Sequence, residues 1–351
     1  MRPTILVVID RVDFMATITI IRWYRLAASA VGGGCLGVFP ALSHAHVKWF
    51  SEPVAEPAPA LPDSTTVVVL CVLVALGTLL AKAVDLLSRA YSLTPRCLRS
   101  RSTGPLRLVY YLIAGYFLGA ALTGTFLVPH LQVAEPLLTL GVAAQLVIYS
   151  ALLLERGRAL CASLIVVLFV LAGLHDPLFV MEYPVLLGLA WVVLFADKTP
   201  TPMGIFLVRC LLGASLISLA FTEKLHDPTR AVALLDHYSL NFMSELGLAY
   251  SDRLFVYSAG VVELLIGVVF LSGWVARLTV GVLFAFMVAT NSYFFWIGEY
   301  RMAMIELVGH LPIFACGILL LFYHPVSDKT GSVISHPGVP ATASEAPGRP
   351  R

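Results

Sequence analysis

The amino-acid sequence predicts an all-α, polytopic integral membrane protein with nine or ten transmembrane helices. Its 351 residues are 59% hydrophobic and only 13% charged, whereas a soluble domain carries roughly 25% charged residues. Ten apolar runs approach or reach the roughly 20 residues that a helix needs to cross the hydrocarbon layer. Loops rich in Lys and Arg alternate with loops that lack them, as in chains that cross a membrane repeatedly. The lipid bilayer is therefore the expected environment.

The apolar runs and the loops between them divide the chain into six segments. The runs cover residues 26–43, 66–87, 108–128, 136–154, 159–174, 180–196, 204–221, 254–274, 275–296 and 303–322. The predicted segments are a signal-like or first transmembrane segment (1–45), a periplasmic Pro-rich segment (46–65), a transmembrane helix with a basic cytoplasmic loop (66–105), a four-helix membrane unit (106–200), a second four-helix unit (204–322) and a disordered tail (323–351).

The orientation follows from the basic loop between the second and third runs. Basic residues of short loops stay on the cytoplasmic side, and this loop carries Lys82, Arg89, Arg96, Arg99, Arg101 and Arg107. Counting crossings from there puts residues 222–253 outside, as an exception to the rule because this spacer carries Lys224, Arg230 and Arg253. An amphipathic helix over 230–250 would lie on the membrane surface there. The same count puts the tail in the cytoplasm. A net charge of +2 without a basic block predicts no nucleic-acid partner.

The N-terminal segment allows two interpretations. Ser43, His44 and Ala45 provide small residues of the kind that a signal peptidase requires, but the same run could serve as a retained first helix. Cleavage would leave His46 at the N-terminus, where its amine and imidazole together could bind copper(II). His46 is the single candidate metal ligand, and it depends on that cleavage.

Cysteine usage argues against a thiol-disulfide enzyme. The six cysteines are scattered and form no Cys-x-x-Cys pair. Four of them lie in apolar runs, where cysteine behaves as a small hydrophobic residue. They are Cys71, Cys161, Cys210 and Cys316.

The candidate site is a set of polar residues in or beside the last four apolar runs. An ionised side chain at the bilayer centre costs about 2.5–3.5 kcal/mol on insertion scales, so such residues need partners. The candidate set is Arg209, Lys224, Glu263, Glu306 and His310, with Asn291 and Tyr293 as candidates for contacting a cofactor.

Helical geometry predicts how these residues meet. Arg209 lies about 6 Å along the helix from the level of Glu263, a gap that a guanidinium can span, which predicts an Arg209–Glu263 ion pair. Glu306 and His310 are four residues apart and share a helix face. Lys224, next to Glu223, is expected at the outer end of its helix. Together they would line a pocket that opens to the periplasmic side.

This arrangement has a structural and a functional interpretation. The structural one is an ion pair that fixes the helix register and a hydrogen bond between helices. The functional one is a proton-coupled site, since imidazole titrates near neutral pH. A quinone headgroup would need such donors beside an apolar groove. Whether the chain is an enzyme stays open.

Residues 106–196 are predicted to repeat the pattern of residues 204–322. Both copies begin on the same side of the membrane, which would make a parallel tandem repeat. The matched positions are Gln145 with Glu263, Arg158 with Arg277, Arg107 with Arg209 and Glu182 with Glu306.

The order of motifs in the last third resembles the DoxX family of bacterial membrane proteins. Residues 206–228 (FLVRCLLGASLISLAFTEKLHDP) carry an Arg early in a helix and a Lys-Leu-x-x-Pro exit, and residues 261–267 (VVELLIG) carry a Glu. A Gly/Arg turn at 273–278 (GWVARL) and residues 304–312 (MIELVGHLP) follow. The resemblance implies a four-helix bundle in the inner membrane of a bacterium and an association with membrane redox systems, including electron transfer to quinone and complexes of oxidative stress.

The leading hypothesis is therefore a membrane subunit of a redox assembly, with redox protein subunits as partners and quinone as the possible cofactor. The alternative is a small-molecule or metal transporter, or a metal-handling protein, that uses the same polar cavity.

Overall fold

A computed structural model describes residues 64–90, 104–197 and 199–323. These residues form helices and no strand. The helices are α1 (Ser64–Ala90), α2 (Gly104–Leu122), α3 (Glu135–Leu153), α4 (Arg158–His175), α5 (Pro177–Glu182), α6 (Val185–Phe195), α7 (Pro202–Ala220), α8 (Thr229–Tyr238), α9 (Phe242–Glu245), α10 (Asp252–Ser272), α11 (Ala276–Trp296) and α12 (Tyr300–Tyr323), and a π-helical turn (Phe221–Leu225) continues α7.

Eight of the described helices are long and apolar enough to cross a membrane: α1, α2, α3, α4, α7 with its π turn, α10, α11 and α12. This confirms the prediction of an all-α polytopic membrane protein. The run at 26–43, the Pro-rich segment with His46, most of the basic loop and the tail lie outside the described residues.

The apolar run predicted over 180–196 is not one continuous helix. Helix α5 ends at Glu182 and α6 begins at Val185, with Tyr183 and Pro184 between them. Proline has no N–H and disfavours helical conformation in the residue before it, so the chain breaks here. The Val185 N–H donates instead to the Ser215 hydroxyl of α7, 3.2 Å away. The break leaves the Glu182 side chain within the protein.

Eight of the described helices form a closed ring, a set that includes the short α6 and leaves out α1. In the order α2, α3, α4, α6, α7, α10, α11 and α12, each helix packs against the next, and α12 packs against α2. Helices α7 and α12 also contact each other across the ring, and α1 packs outside it on α10. The α7–α12 contact therefore divides the interior into two halves. The predicted tandem repeat stays a prediction.

Local sequence sets the ends of the helices that carry the polar set. Thr201 and Ser251 cap the N-termini of α7 and α10, and their hydroxyls accept from the backbone N–H of Gly204 and Leu254. Such caps satisfy amides that have no partner within the helix. Gly273 ends α10 in the left-handed conformation with φ 76°, which favours glycine.

Helices α7 and α10 meet at two glycines. A Cβ atom added to Gly213 would lie 2.7 Å from the Gly267 carbonyl oxygen, and one added to Gly267 would lie 2.8 Å from the Gly213 carbonyl oxygen. Small residues allow membrane helices to approach this closely. The crossing fixes the register of the two helices that carry Lys224 and Glu263.

Basic side chains gather at one end of the ring. The Arg107 guanidinium lies 3.0 Å from the Glu155 carboxylate. Arg158 donates to the Ala196 carbonyl and lies 3.7 Å from the Asp197 carboxylate. Helix α8 lies at the other end, next to the end of α11. Which end faces the cytoplasm stays a prediction.

The amphipathic helix predicted over 230–250 is split. Helix α8 stops where Ser239 adopts a left-handed conformation with φ 50°, and the short α9 follows. Ala231 and Leu235 of α8 are buried against Phe255 and Val256 of α10. The apolar face of α8 is thus covered by protein.

Candidate functional site

The core of the candidate site is an ion pair between α7 and α10. The Lys224 ammonium nitrogen lies 2.6 Å from Glu263 Oε2, and the two side chains are 0% and 5% exposed. The π turn carries Lys224: its wider hydrogen bonding, with the His226 N–H donating to the Phe221 carbonyl at 2.8 Å, changes the direction in which side chains leave the helix. Single π turns of this kind occur frequently at functional sites.

The predicted Arg209–Glu263 pair is wrong. Arg209 Nη1 donates to the carbonyl oxygens of Phe270 and Leu271, at 2.7 and 2.9 Å. Phe270 lies seven residues beyond Glu263 on the same helix, or about 10 Å along its axis. Arg209 instead supplies donors to two carbonyls in the last turn of α10, where helices lack regular intrahelical donors. A cation at this end is also favoured by the helix dipole.

Lys224 lies at the end of its helix, as expected, because the π turn that continues α7 ends at Leu225. Its side chain is nevertheless fully buried and contacts Glu263. Lys224 therefore takes the place that the prediction gave to Arg209.

A second polar group joins α11 and α12. The Asn291 amide nitrogen lies 3.0 Å from His310 Nδ1 and donates to the Met287 carbonyl at 2.8 Å. His310 Nε2 lies 4.0 Å from Glu306 Oε1, and both side chains are buried. With Nδ1 as the acceptor, the imidazole is neutral and its proton is on Nε2, on the Glu306 side.

One cavity connects the two polar groups. Its lining includes Glu263 of α10, His310 of α12 and apolar side chains of α7 and α11. Its volume is about 10 Å³, room for about one water molecule. The structure thus brings together Lys224, Glu263, Asn291, Glu306 and His310 from the predicted set.

Arg209 and Tyr293 lie outside this cavity. The Tyr293 hydroxyl donates to the Tyr238 carbonyl of α8 at 3.0 Å, so it attaches α8 to the end of α11. Its predicted role in contacting a cofactor has no support in this position.

Glu182 is a buried carboxyl that the sequence analysis did not place in the site. It is 0% exposed, and its Oε1 accepts a hydrogen bond of 2.8 Å from the Thr222 hydroxyl. It lines a cavity of about 20 Å³ with Tyr116, Tyr183 and Ser215. The signal in the sequence was an acidic residue inside an apolar run, directly before Tyr183 and Pro184. The sequence analysis used this residue only as the counterpart of Glu306 in the predicted repeat.

The polar side chains of this site are better suited to proton exchange than to metal binding. Two carboxyls, an imidazole and an ammonium can each take up or release a proton. Among the described residues, no three His, Cys, Asp or Glu side chains are placed to hold a metal ion. His46, the predicted copper ligand, lies outside that part of the chain. Its role stays a prediction.

Comparison of the chain with protein-family models, with curated proteins and with solved structures finds no match. The DoxX resemblance of residues 204–322 accordingly stays a prediction. The chain is an all-α, multi-pass integral membrane protein with a buried ion pair between two of its helices.

Proposed function

We propose that this membrane protein is a proton-coupling subunit of a membrane redox assembly, with Lys224, Glu263 and His310 as its proton-exchanging groups. The observation that carries the proposal is the Lys224–Glu263 pair, 2.6 Å between nitrogen and oxygen and sealed from solvent, on a cavity that it shares with His310. Ionisable residues buried in a membrane bundle commonly mark ion or proton pathways.

The ion pair has a second state of equal total charge. A proton that moves from the Lys224 ammonium to the Glu263 carboxylate leaves a neutral amine and a neutral acid. Both states have a net charge of zero, and the neutral state avoids the cost of two desolvated ions. A third group is needed to carry the proton away, and the His310 imidazole lines the same cavity. Asn291 orients this imidazole through Nδ1, and the Glu306 carboxyl lies 4.0 Å from its Nε2.

The redox part of the proposal is supported by chemistry and by the resemblance to the DoxX family. Electron transfer to a quinone takes up protons, which a buried site of this kind would supply. A quinone ring does not fit the cavity between Glu263 and His310, which has room for about one water molecule. A quinone used by the assembly would therefore bind outside that cavity.

A proton-coupled transporter is the second candidate. The observation that favours it is that the site lies between helices of a closed ring and away from solvent, which is where transporters place their sites. It uses the same proton-exchanging residues, so the two candidates differ in what accompanies the proton. A copper-handling role would require His46 as well.

The test is purification of the full chain in mild detergent, followed by mass spectrometry of what remains bound. A stoichiometric redox subunit supports the proposal, and its absence together with proton-dependent solute uptake in liposomes supports the transporter. Proton exchange is measured separately, as proton uptake after a pH jump, in the wild type and in Glu263→Gln and His310→Phe. Glu135→Gln, at an exposed carboxyl, is the matched control. Equal proton uptake in all four proteins would contradict both candidates.

A further inference from the structure

Two cavities lie on opposite sides of the contact between α7 and α12. The first is lined by Glu182 and Ser215, with walls from α2, α6, α7 and α12. The second is lined by Glu263 and His310, with walls from α7, α10, α11 and α12. Each half of the ring thus holds one cavity and at least one buried carboxyl.

The two cavities share part of their walls. Leu216 of α7 and Ile313 of α12 line both of them. No other residue in the described part of the chain lines both cavities. A single layer of two apolar side chains therefore separates the Glu182 cavity from the cavity that holds His310.

The backbone beside this layer is also unusual. Pro312 precedes Ile313 inside α12 and lines the Glu182 cavity. Proline has no N–H, so it cannot donate to the Val308 carbonyl one turn earlier. In transmembrane helices such carbonyls are satisfied by neighbouring side chains or by ordered water. Pro312 thus removes one helical N–H donor directly before Ile313 of the separating layer.

We infer that Glu182 is a second proton-exchanging carboxyl, which exchanges protons with the Glu263–His310 cavity through the layer formed by Leu216 and Ile313. The inference rests on the proposed function and extends it to the other half of the ring. The proton leaves the carboxylic acid of Glu182, crosses on water when the two side chains part, and is taken up by His310 or by the Glu263 carboxylate. The reverse transfer restores Glu182, and no electron is exchanged.

The hydrogen bond from Thr222 suits this role. Thr222 and Lys224 belong to the same π turn, and the Thr222 hydroxyl donates to Glu182 while the Lys224 ammonium contacts Glu263. A rearrangement of this turn would change both carboxyls together. Tyr116 and Tyr183 are the other titratable side chains in the lining of the Glu182 cavity. The Tyr116 hydroxyl donates to the Leu127 carbonyl at 3.0 Å.

The experiment follows the carboxyl groups by infrared spectroscopy after a pH jump, with the full chain in liposomes. The acid, carboxylate and imidazole bands are recorded, so that either charge state of Glu263, Glu306 and His310 is seen, and Glu→Gln variants and His310→Phe assign the bands. The quantity compared is the rate at which these bands relax. We expect Glu182→Gln to slow the relaxation several-fold and Glu182→Asp to restore it, because aspartate keeps the proton-exchanging group.

The separating layer is tested with Leu216→Ala. Widening it should accelerate the relaxation several-fold, and adding Glu182→Gln should cancel the gain. Leu212→Ala is the matched control, since Leu212 lies one turn earlier on α7 and lines only the Glu182 cavity; its rate should equal that of the wild type. Ile313→Ala widens the same layer from α12, and it is the variant to use if Leu216→Ala does not fold.

Two results would overturn the inference in distinguishable ways. A wild-type relaxation rate in Glu182→Gln would remove Glu182 from the path and leave the proposed function intact. The absence of any protonation change at Glu263, Glu306 or His310 would remove the proposed function and the inference with it.

Discussion

The Lys224 ammonium and the Glu263 carboxylate both lose their hydration inside the bundle, so each depends on the other. Removing one partner of a buried pair leaves an uncompensated charge, whereas replacing both with apolar side chains is often neutral. The difference between the single and double variants therefore distinguishes an interacting pair from two residues that do not interact. The same comparison tests whether Glu263 pairs with Lys224 or with Arg209.

We predict that Lys224→Leu or Glu263→Leu alone lowers the free energy of unfolding by about 3–5 kcal/mol, and that the double variant loses much less. The measurement is a double-mutant cycle on thermal stability in detergent. Arg209→Leu with Glu263→Leu is the matched control, and its effects should add because the two side chains do not meet. Coupling in the Arg209 cycle and additivity in the Lys224 cycle would contradict the assignment.

The sequence identified most members of the site but only some of their contacts. Polar residues inside apolar runs are conspicuous, and the i, i+4 spacing of Glu306 and His310 predicted a shared face. The Lys224–Glu263 contact depends on a π turn, whose extra residue shifts every later side chain by a fraction of a turn. Counting from the midpoints of regular helices cannot detect such a shift. Glu182 was missed because the broken helix around Pro184 reads as one continuous apolar run.

At the level of elements, the crossing of α7 and α10 keeps the ion pair in register. Gly213 and Gly267 bring the two backbones together, with Arg209 bound to the end of α10 on one side of the crossing and Lys224 bound to Glu263 on the other. The two helices are therefore joined at three levels. Separating them at the glycines would strain both polar contacts.

We predict that Gly213→Ala lowers the midpoint of thermal unfolding in detergent and weakens the coupling between Lys224 and Glu263. The added Cβ would lie 2.7 Å from the Gly267 carbonyl oxygen, so the helices must move apart. Gly281→Ala is the control, because no atom lies within 4 Å of a Cβ added there, and it should be neutral or slightly stabilising. Equal midpoints of thermal unfolding for Gly213→Ala and Gly281→Ala would contradict this account of the crossing.

On the scale of the whole molecule, the ring has two chemically different ends. Ion pairs of Arg107 and Arg158 mark one end, and α8 lies at the other, against α10 and the end of α11. The alternation of basic and non-basic loops predicted this division, because the basic residues of a short loop indicate the side of the membrane on which the loop lies. The closure of the ring was not predictable, since apolar helices carry little information about their neighbours.

We predict that the end with Arg107 and Arg158 faces the cytoplasm, because basic residues are retained there. A membrane-impermeant thiol reagent should label Asp236→Cys on α8 from the periplasmic side and Asp197→Cys only after the membrane is opened. Both positions are exposed, and the wild type measures the background from native cysteines. Labelling in the opposite order would invert the topology.

Closure of the ring has a consequence for biogenesis. Helix α2 is synthesised before most of the bundle, yet one of its neighbours is α12, the last helix of the ring to leave the ribosome. The surface of α2 that contacts α12 must therefore stay covered by lipid or by an insertion factor until synthesis of the ring is nearly complete. We expect residues 1–200 and residues 201–351, produced from separate genes, to be degraded when expressed singly and to accumulate as a complex when expressed together, as pulse-chase labelling would detect. Stable accumulation of either half alone would mean that each matures before the ring closes.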